Sequence, residues 1–407
     1  MGSCLSKARI LIYSHDSFGL GHLQRSRTIA HSLVERHKGL SVLIVSGSPI
    51  IGSFDFRTRV DFVRIPGVIK LRNGDYSSLS LHLDITQVVT LRSAIIRHTA
   101  ESFRPDLVIV DKEPLGLRGE LEETLIAMRA MGVPLVLGLR DVMDEATLLA
   151  REWQAKNLMP ALEAFYDEVW IYGLPQIHEP LSGLPLPPAV RERLVYTGYL
   201  RRHAGSVPPG EGADPGFDGP YLLVTTGGGG DGEELVDWVL SAYEHDRDLP
   251  WPALLLYGPF MSADRRERFD ARVARLPRVR ARTFEARAER LVAGAAGVVA
   301  MGGYNAFCEI LSFDKRAVIV PRRVPRLEQY IRAARADELG LMRMLSDERG
   351  RDPAVMAAAL RALPLQPLPS QVVVPGLLEG LDNINRLVER LVAVDHLAPL
   401  PLVTLPG

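Results

Sequence analysis

A histidine stands directly behind a glycine pair in Gly19-Leu20-Gly21-His22, where the chain turns after the short apolar run Arg9–Tyr13. An imidazole titrates near ~6.5 when unperturbed, so a histidine aimed out of such a turn can serve as a general base. A lone histidine at a helix start is more often a cap or a surface residue, and both readings stand at this level. Asp16 lies in the same turn and can orient His22 or replace it. Asp111 closes a second apolar run, Leu107–Val110, and Asp141 follows a third, Pro134–Leu139. Ligands of parallel α/β sheets collect beyond the carboxyl ends of the strands, which makes both aspartates further candidates.

Glycines supply the second kind of chemistry, because they let backbone N–H groups approach a phosphate closely at a helix start. Gly227, Gly228 and Gly229 belong to the turn Thr226–Gly230 after Tyr221–Thr225, and Gly302 and Gly303 follow Val299–Met301. Gly19-x-Gly21 would need a third glycine at position 24, which is Gln24, so the dinucleotide fingerprint fails. The turn at 227–230 has no Lys-Ser/Thr behind it, which excludes a phosphate-binding loop of the nucleoside triphosphatases. The block from Gly302-Gly303-Tyr304-Asn305 to Glu309, then Ala317–Pro321, Arg322, Arg323, Arg326, Glu328 and Gln329, has the length of one strand–helix–strand unit. Its glycine N–H groups and arginines can neutralise a diphosphate, Glu309 can accept from a ribose diol, and Glu328 and Gln329 can reach sugar hydroxyls. Asp246-Arg247-Asp248 sits in a charged loop and reads as turn chemistry, so no magnesium site and no resident cofactor are implied.

The elements that must position these groups alternate between strand-length apolar runs and helical stretches. Runs fall at 9–13, 41–46, 61–65, 106–111, 134–139 and 168–172, with helices expected over 23–36, 81–103 and 120–131. A Pro/Gly-rich segment at 202–219 then interrupts the pattern, and a second series begins with strands at 221–225, 253–257, 279–283, 297–300 and 317–320. The expected organisation is α/β: a domain at 1–201, a linker at 202–219, a second domain at 220–372, and a terminal segment at 373–407. That last segment holds an amphipathic helix over 374–394, long enough to cross back to the first domain. The linker and this helix together imply domain closure on a ligand.

Composition sets the outer bounds. The 407 residues are 47% hydrophobic and 24% charged with a formal net charge of −1, which supports large cores and excludes a global positive field for nucleic acid. Two cysteines, Cys4 and Cys308, cannot form a disulfide framework and fit a reducing, cytoplasmic setting. No apolar run reaches the ~20 residues of a membrane span. Met1–Ser6 matches an N-myristoylation pattern, which such short patterns do by accident, so peripheral membrane contact stays open as a partner mode.

The second half resembles the donor-binding domain of GT-B glycosyltransferases, closest to the family of the lipid-intermediate N-acetylglucosaminyltransferase of peptidoglycan synthesis (family 28 C-terminal-domain type). The matching pieces are Thr226–Gly230, Gly302-Gly303 to Glu309, Val320-Pro321 and Glu328-Gln329-Tyr330; in the first half Gly19-Leu20-Gly21-His22 resembles the family's acceptor-side glycine–histidine loop. The likeness spans most of residues 9–340 and extends to a group of bacterial predicted glycosyltransferases. It implies a GT-B fold of two Rossmann-like, doubly wound domains facing a central cleft. It further implies a donor site at Gly227–Gly229, Gly302–Asn305, Glu309, Arg322, Arg326, Glu328 and Gln329, and an acceptor-side loop at Gly19 and Gly21. Asn305-Ala306 stand where the family has Ser or Thr, and Glu328 where it has Gln, which leaves the sugar open. Retaining members carry a second Glu eight positions before the ribose-binding one; Met301 is there instead, so inversion is implied.

The expected activity is therefore a metal-independent, inverting hexosyl transfer from a nucleotide-diphosphate sugar, a UDP-sugar first. The acceptor is a hydroxyl of a glycan, a lipid-linked saccharide or a small molecule, and His22, Asp16 and Asp111 are the catalytic candidates. The rivals are a nucleotide-sugar epimerase or hydrolase of the same fold, and a non-catalytic nucleotide-sugar-binding protein.

Overall fold

The computed structural model describes residues 5, 7–15, 21–71, 75–203, 214–346 and 350–393. The chain divides into two compact units, Met1–Leu200 with Glu379–Gly407, and Arg201–Leu378.

The first unit is built on β1 (Arg9–Ser14), β2 (Ser41–Ser46), β3 (Val60–Arg64), an antiparallel hairpin of β4 (Val68–Lys70) and β5 (Tyr76–Ser78), then β6 (Leu107–Asp111), β7 (Leu135–Arg140), β8 (Glu168–Tyr172) and β9 (Leu194–Tyr196). Apart from the hairpin these strands form one parallel sheet in the order β3-β2-β1-β6-β7-β8-β9. Every residue of β6 and of β8 is buried, as expected of central parallel strands covered by helices on both faces. The helix Ile85–Phe103 starts later than its apolar pattern suggests because Asp84 caps it, accepting from the Gln87 N–H while Gln87 answers in a capping box.

The terminal helix belongs to this unit. It runs over Gly380–Ala393 and not from 374, since Pro375 and Gly376, the latter at φ +75°, interrupt the helical path. Asn385 Nδ2 donates to Ser32 Oγ at 2.9 Å, Asn383 Nδ2 donates to the Thr197 carbonyl at 2.8 Å, and Arg390 pairs with Glu168.

The second unit contains β10 (Leu222–Thr225), β11 (Ala253–Leu256), β12 (Val279–Arg282), β13 (Gly297–Ala300), β14 (Arg316–Ile319) and the short β15 (Arg343–Met344). They form a parallel sheet in the order β12-β11-β10-β13-β14-β15 around a core that includes Val224, Trp238, Leu255, Val299 and Val318. Both sheets therefore have the doubly wound order in which the chain reverses direction beside its first strand. The reversal falls between β1 and β6 in one unit and between β10 and β13 in the other, where such sheets bind ligands. The strand β9, the hairpin and the two-residue β15 are too short to stand out as apolar runs.

Candidate functional site

In the first unit the reversal point brings together residues remote in sequence. Gly21 begins the helix Gly21–Arg36, so His22 and Arg25 leave its first turn on one face, three residues apart. Asp111 is the last residue of the neighbouring β6 and points at both. Its Oδ1 accepts from Arg25 Nε at 2.9 Å and from the guanidinium NH2 at 2.5 Å, while its Oδ2 pairs with His22 Nδ1. The Arg25 NH2 lies 3.0 Å from His22 Nδ1. An ionised carboxylate only accepts, so Asp111 assigns the ring proton to Nδ1 and leaves the lone pair on Nε2, while the Arg25 NH2 finds its acceptor in Asp111 Oδ1.

Burial is graded across the cluster: Arg25 and Asp111 expose 1% and 3% of their side chains, His22 19%. Desolvation pushes His22 down to about 4 against the opposing pull of Asp111, with Arg25 and Lys112 lowering it further. Burial by itself would raise Asp111, but Arg25 and then His22 hold it well below the usual carboxylate range. The site thus holds an ionised carboxylate, a fixed cation and a neutral imidazole at pH 7.

Two further layers frame it. Tyr172 on β8 lies beneath the Arg25 guanidinium, 5.8 Å from ring centroid to carbon; in register it pairs with Arg140, and its ring lies over Gly138 two residues away on β7, which has no side chain to block it. A Cβ at Gly138 would sit 2.1 Å from the Tyr172 hydroxyl oxygen. On the other side His15 stands edge-on to His22, centroids 6.0 Å apart, with Tyr13 Oη 3.3 Å from its Nδ1. Tyr13 donates to Glu120 Oε1 at 2.5 Å, and Glu120 takes a two-point grip from buried Arg92 at 2.5 and 2.7 Å. Desolvation keeps His15 well below its ordinary value, with Lys112 next in effect.

Of the residues the sequence singled out here, His22 and Asp111 meet, whereas Asp16 and Gly19 lie outside the described residues. Asp141 is fully buried and accepts from the Tyr199 hydroxyl at 2.7 Å. Arg25, His15 and Tyr172 were missed. Arg25 had a readable signal, its i, i+3 spacing from His22.

The second reversal point is lined mainly by backbone. Gly302 has φ +78°, and a Cβ there would press to 2.7 Å from Ile319 Cγ2; its carbonyl accepts from fully buried Arg332 at 2.9 Å. Gly303 differs: it caps the helix Tyr304–Ser312 at φ −58°, and a Cβ would meet nothing within 4 Å. Neither backbone conformation nor protein packing requires glycine at 303. In the turn after β10 the requirement at Gly229 is internal, since a Cβ would lie 2.2 Å from the Tyr257 carbonyl oxygen, while Gly227 has open space but φ +67° and Gly228 touches Phe260. Chain packing alone therefore requires glycine at 229.

The arginine loop also differs from expectation. Arg322 is engaged within the protein: it is bound by Asp231 and, at 2.8 Å, by Glu328 Oε1, and its backbone N–H donates to Gln329 Oε1 at 3.1 Å. Glu328 and Gln329 are buried, and both hold Arg322. Arg323 stacks over Tyr330 at 4.2 Å, and Arg326 is half-buried just before the helix Glu328–Glu338. Asn305 Oδ1 accepts from Arg202 at 2.7 Å, which turns the donor end of its amide the other way; Tyr304 is buried beneath Arg332, and Glu309 is half-buried two turns into the helix. Met301 packs in the core.

Among the described residues no group of three or more His, Cys, Asp or Glu side chains is arranged to hold a metal, and no helix is long and apolar enough to cross a membrane. Asp246 of the Asp-x-Asp segment is gripped at two points by Arg361, at 2.6 and 2.8 Å.

No protein-family model and no curated protein matches the chain. Solved structures do match over almost its whole length. The glycotransferase of kitacinnamycin is 17% identical with a TM-score of 0.58, covering 94% of this chain and 95% of its own. Glycosyltransferase VinC in complex with dTDP is 18% identical at 0.57, covering 95% and 99%. MurG of Acinetobacter baumannii is 14% identical at 0.53, again covering 95% and 99%. The fold is that of the GT-B glycosyltransferases. At these identities the likeness establishes the two Rossmann-like sheets and leaves the chemistry to this chain's own residues.

Proposed function

We propose that the protein is an inverting, metal-independent glycosyltransferase of the hexosyl type, moving a sugar from a nucleotide-diphosphate donor to a hydroxyl acceptor. The observation that carries the reading is the His22–Asp111 pair at the first reversal point, in which Asp111 holds the Nδ1 proton and leaves Nε2 as the basic atom. Nε2 takes the acceptor's O–H proton, the acceptor oxygen forms a bond to the anomeric carbon from the face opposite the leaving group, and the bond from that carbon to the β-phosphate oxygen breaks. The nucleoside diphosphate leaves with the electron pair. Asp111 stays ionised and stabilises the imidazolium as it forms.

In the second unit, backbone N–H groups at the start of helix Tyr304–Ser312 meet the developing diphosphate charge, and Gly303 lets the phosphate approach without a side chain in the way. Arg326 adds positive charge beside this turn, and Glu309 is placed for the ribose diol. Arg322 acts indirectly, by fixing the Gly-rich turn through Asp231. A UDP-sugar is the first donor to test, with the resemblance to the peptidoglycan lipid-intermediate family behind it; thymidine diphosphate comes second because VinC holds it.

The test is a thermal-shift screen across nucleoside diphosphates and their sugars, since a ligand bound only by the native state raises the melting temperature. Transfer is then followed for wild type and His22→Ala with the donor so found. Donor binding retained and transfer lost in H22A is the expected result. No shift with any nucleotide sugar, or undiminished transfer by H22A, would overturn the reading.

A further inference from the structure

The geometry points to Arg25 as a positioning residue that acts through Asp111: its buried guanidinium fixes the carboxylate so that only Oδ2 faces His22, and its charge offsets the carboxylate's. This rests on the proposed base role of His22, but the arrangement that argues for it is independent of any substrate. Both bonds from Arg25 to the carboxylate end on Oδ1, from Nε at 2.9 Å and NH2 at 2.5 Å. Oδ2 is thereby left for Nδ1. A carboxylate held at one oxygen by a rigid two-donor fork cannot rotate to present Oδ1 to the ring.

The fork is itself held. Arg25 leaves the same helix turn as His22, and Tyr172 lies against the guanidinium at 5.8 Å in the space that Gly138 keeps clear. A guanidinium exposing 1% of its side chain is costly to bury, and here its compensating carboxylate is Asp111. The consequence is a triad with nearly balanced charge: one carboxylate and one guanidinium buried together, beside an imidazole that stays neutral.

A simple His–carboxylate pair would behave otherwise, because an uncompensated carboxylate strongly favours imidazolium. Among the described residues the groups facing His22 are Asp111 and Lys112 at the end of β6, Arg25 on its own helix and His15 after β1. Of these only Asp111 favours the protonated ring, and Arg25 is the cation in contact with both partners. Arg25 therefore keeps the base unprotonated and in one tautomer at the cost of some basicity.

The experiment is nuclear magnetic resonance of the full chain labelled at histidine, with H22A assigning the His22 signals, run without ligand on wild type, R25M and R25K. Wild type should show a neutral Nδ1–H tautomer down to about pH 5. In R25M the ring should titrate about one pH unit higher and lose its single tautomer. R25K, which retains the charge but not the fork, should titrate close to wild type. With the donor identified by the nucleotide screen, R25M should lose kcat on the order of 10–100-fold at unchanged donor KM, the usual cost of losing a group that orients a histidine. R25Q, with one amide donor, takes the place of R25M if that variant does not fold. An unchanged tautomer and titration in the neutral variant, with activity falling only as melting temperature falls, would overturn the proposal. Failure of the nucleotide screen would instead strike the donor reading and leave the spectroscopic result standing.

Discussion

Where the strand order reverses in the first unit, the chain places three ionisable side chains in contact, two of them buried; at the same topological point in the second unit it places glycines at the head of a nine-residue helix. The first arrangement can hold and move a proton, and the second can hold a diffuse negative charge. In the proposed reaction two sheets of one topology divide the labour, with backbone offered to phosphate and side chains to acid–base chemistry. The second unit keeps its charged side chains busy with each other: Arg322, Asp231 and Glu328 brace the turns, and what faces outward at Gly303 is peptide.

The largest effect should come from breaking the first arrangement alone. His22→Ala or Asp111→Asn should lower turnover roughly 10²–10⁴-fold, the usual share of a general base. Calorimetry should show nucleotide diphosphate binding little altered, because the proposed grip lies in the other unit. Equal loss of binding and turnover would refute the division.

Next come the glycines. Gly229→Ala forces a Cβ toward the Tyr257 carbonyl at φ +85° and should lower stability by about 1–3 kcal/mol, seen as a reduced melting temperature. Gly303→Ala should leave the melting temperature within error yet weaken nucleotide binding roughly tenfold or more, as for one lost hydrogen bond to a charged group. If both variants behave alike, the glycine at 303 has only a structural purpose.

The Arg322 lock gives a graded pair. Glu328 exposes 4% of its side chain and Asp231 42%, so Arg322→Ala strands a buried carboxylate and should cost about 3 kcal/mol in denaturant unfolding. Asp231→Asn should cost less than about 1 kcal/mol.

Acidity provides the mildest test. His15, His22, His31 and His37 all lie below their ordinary value in the folded chain, chiefly through desolvation. The unfolded chain then binds more protons than the native one below about pH 6.5, so stability is present above that pH and declines as pH falls toward 4. Melting temperature should drop between pH 7 and pH 5. Turnover corrected for unfolding should hold level until the His22 region near 4, because the base is active in its neutral form.

Much of the architecture could be read from the chain itself. Fully buried runs such as Leu107–Asp111 and Gly297–Ala300 mark parallel strands because both faces must be apolar, and the glycine turns mark the strand-to-helix corners. Short pieces escaped: β9 and the hairpin carry three residues per strand, too few for a period to show. At the candidate site, His22 and Asp111 were each nameable from their place at element ends. That they touch was not, nor that Arg25 joins them.

By itself the sequence determined the alternation of strand and helix and the positions where backbone can approach a ligand, because burial pattern and glycine conformation are local properties. Only the tertiary structure decided which charges meet. His22 and Asp111 are 89 residues apart and Arg322 and Asp231 are 91 apart, and each pair is made by the order in which strands line up. Strand order depends on the packing of whole layers, and no short window of the chain encodes it.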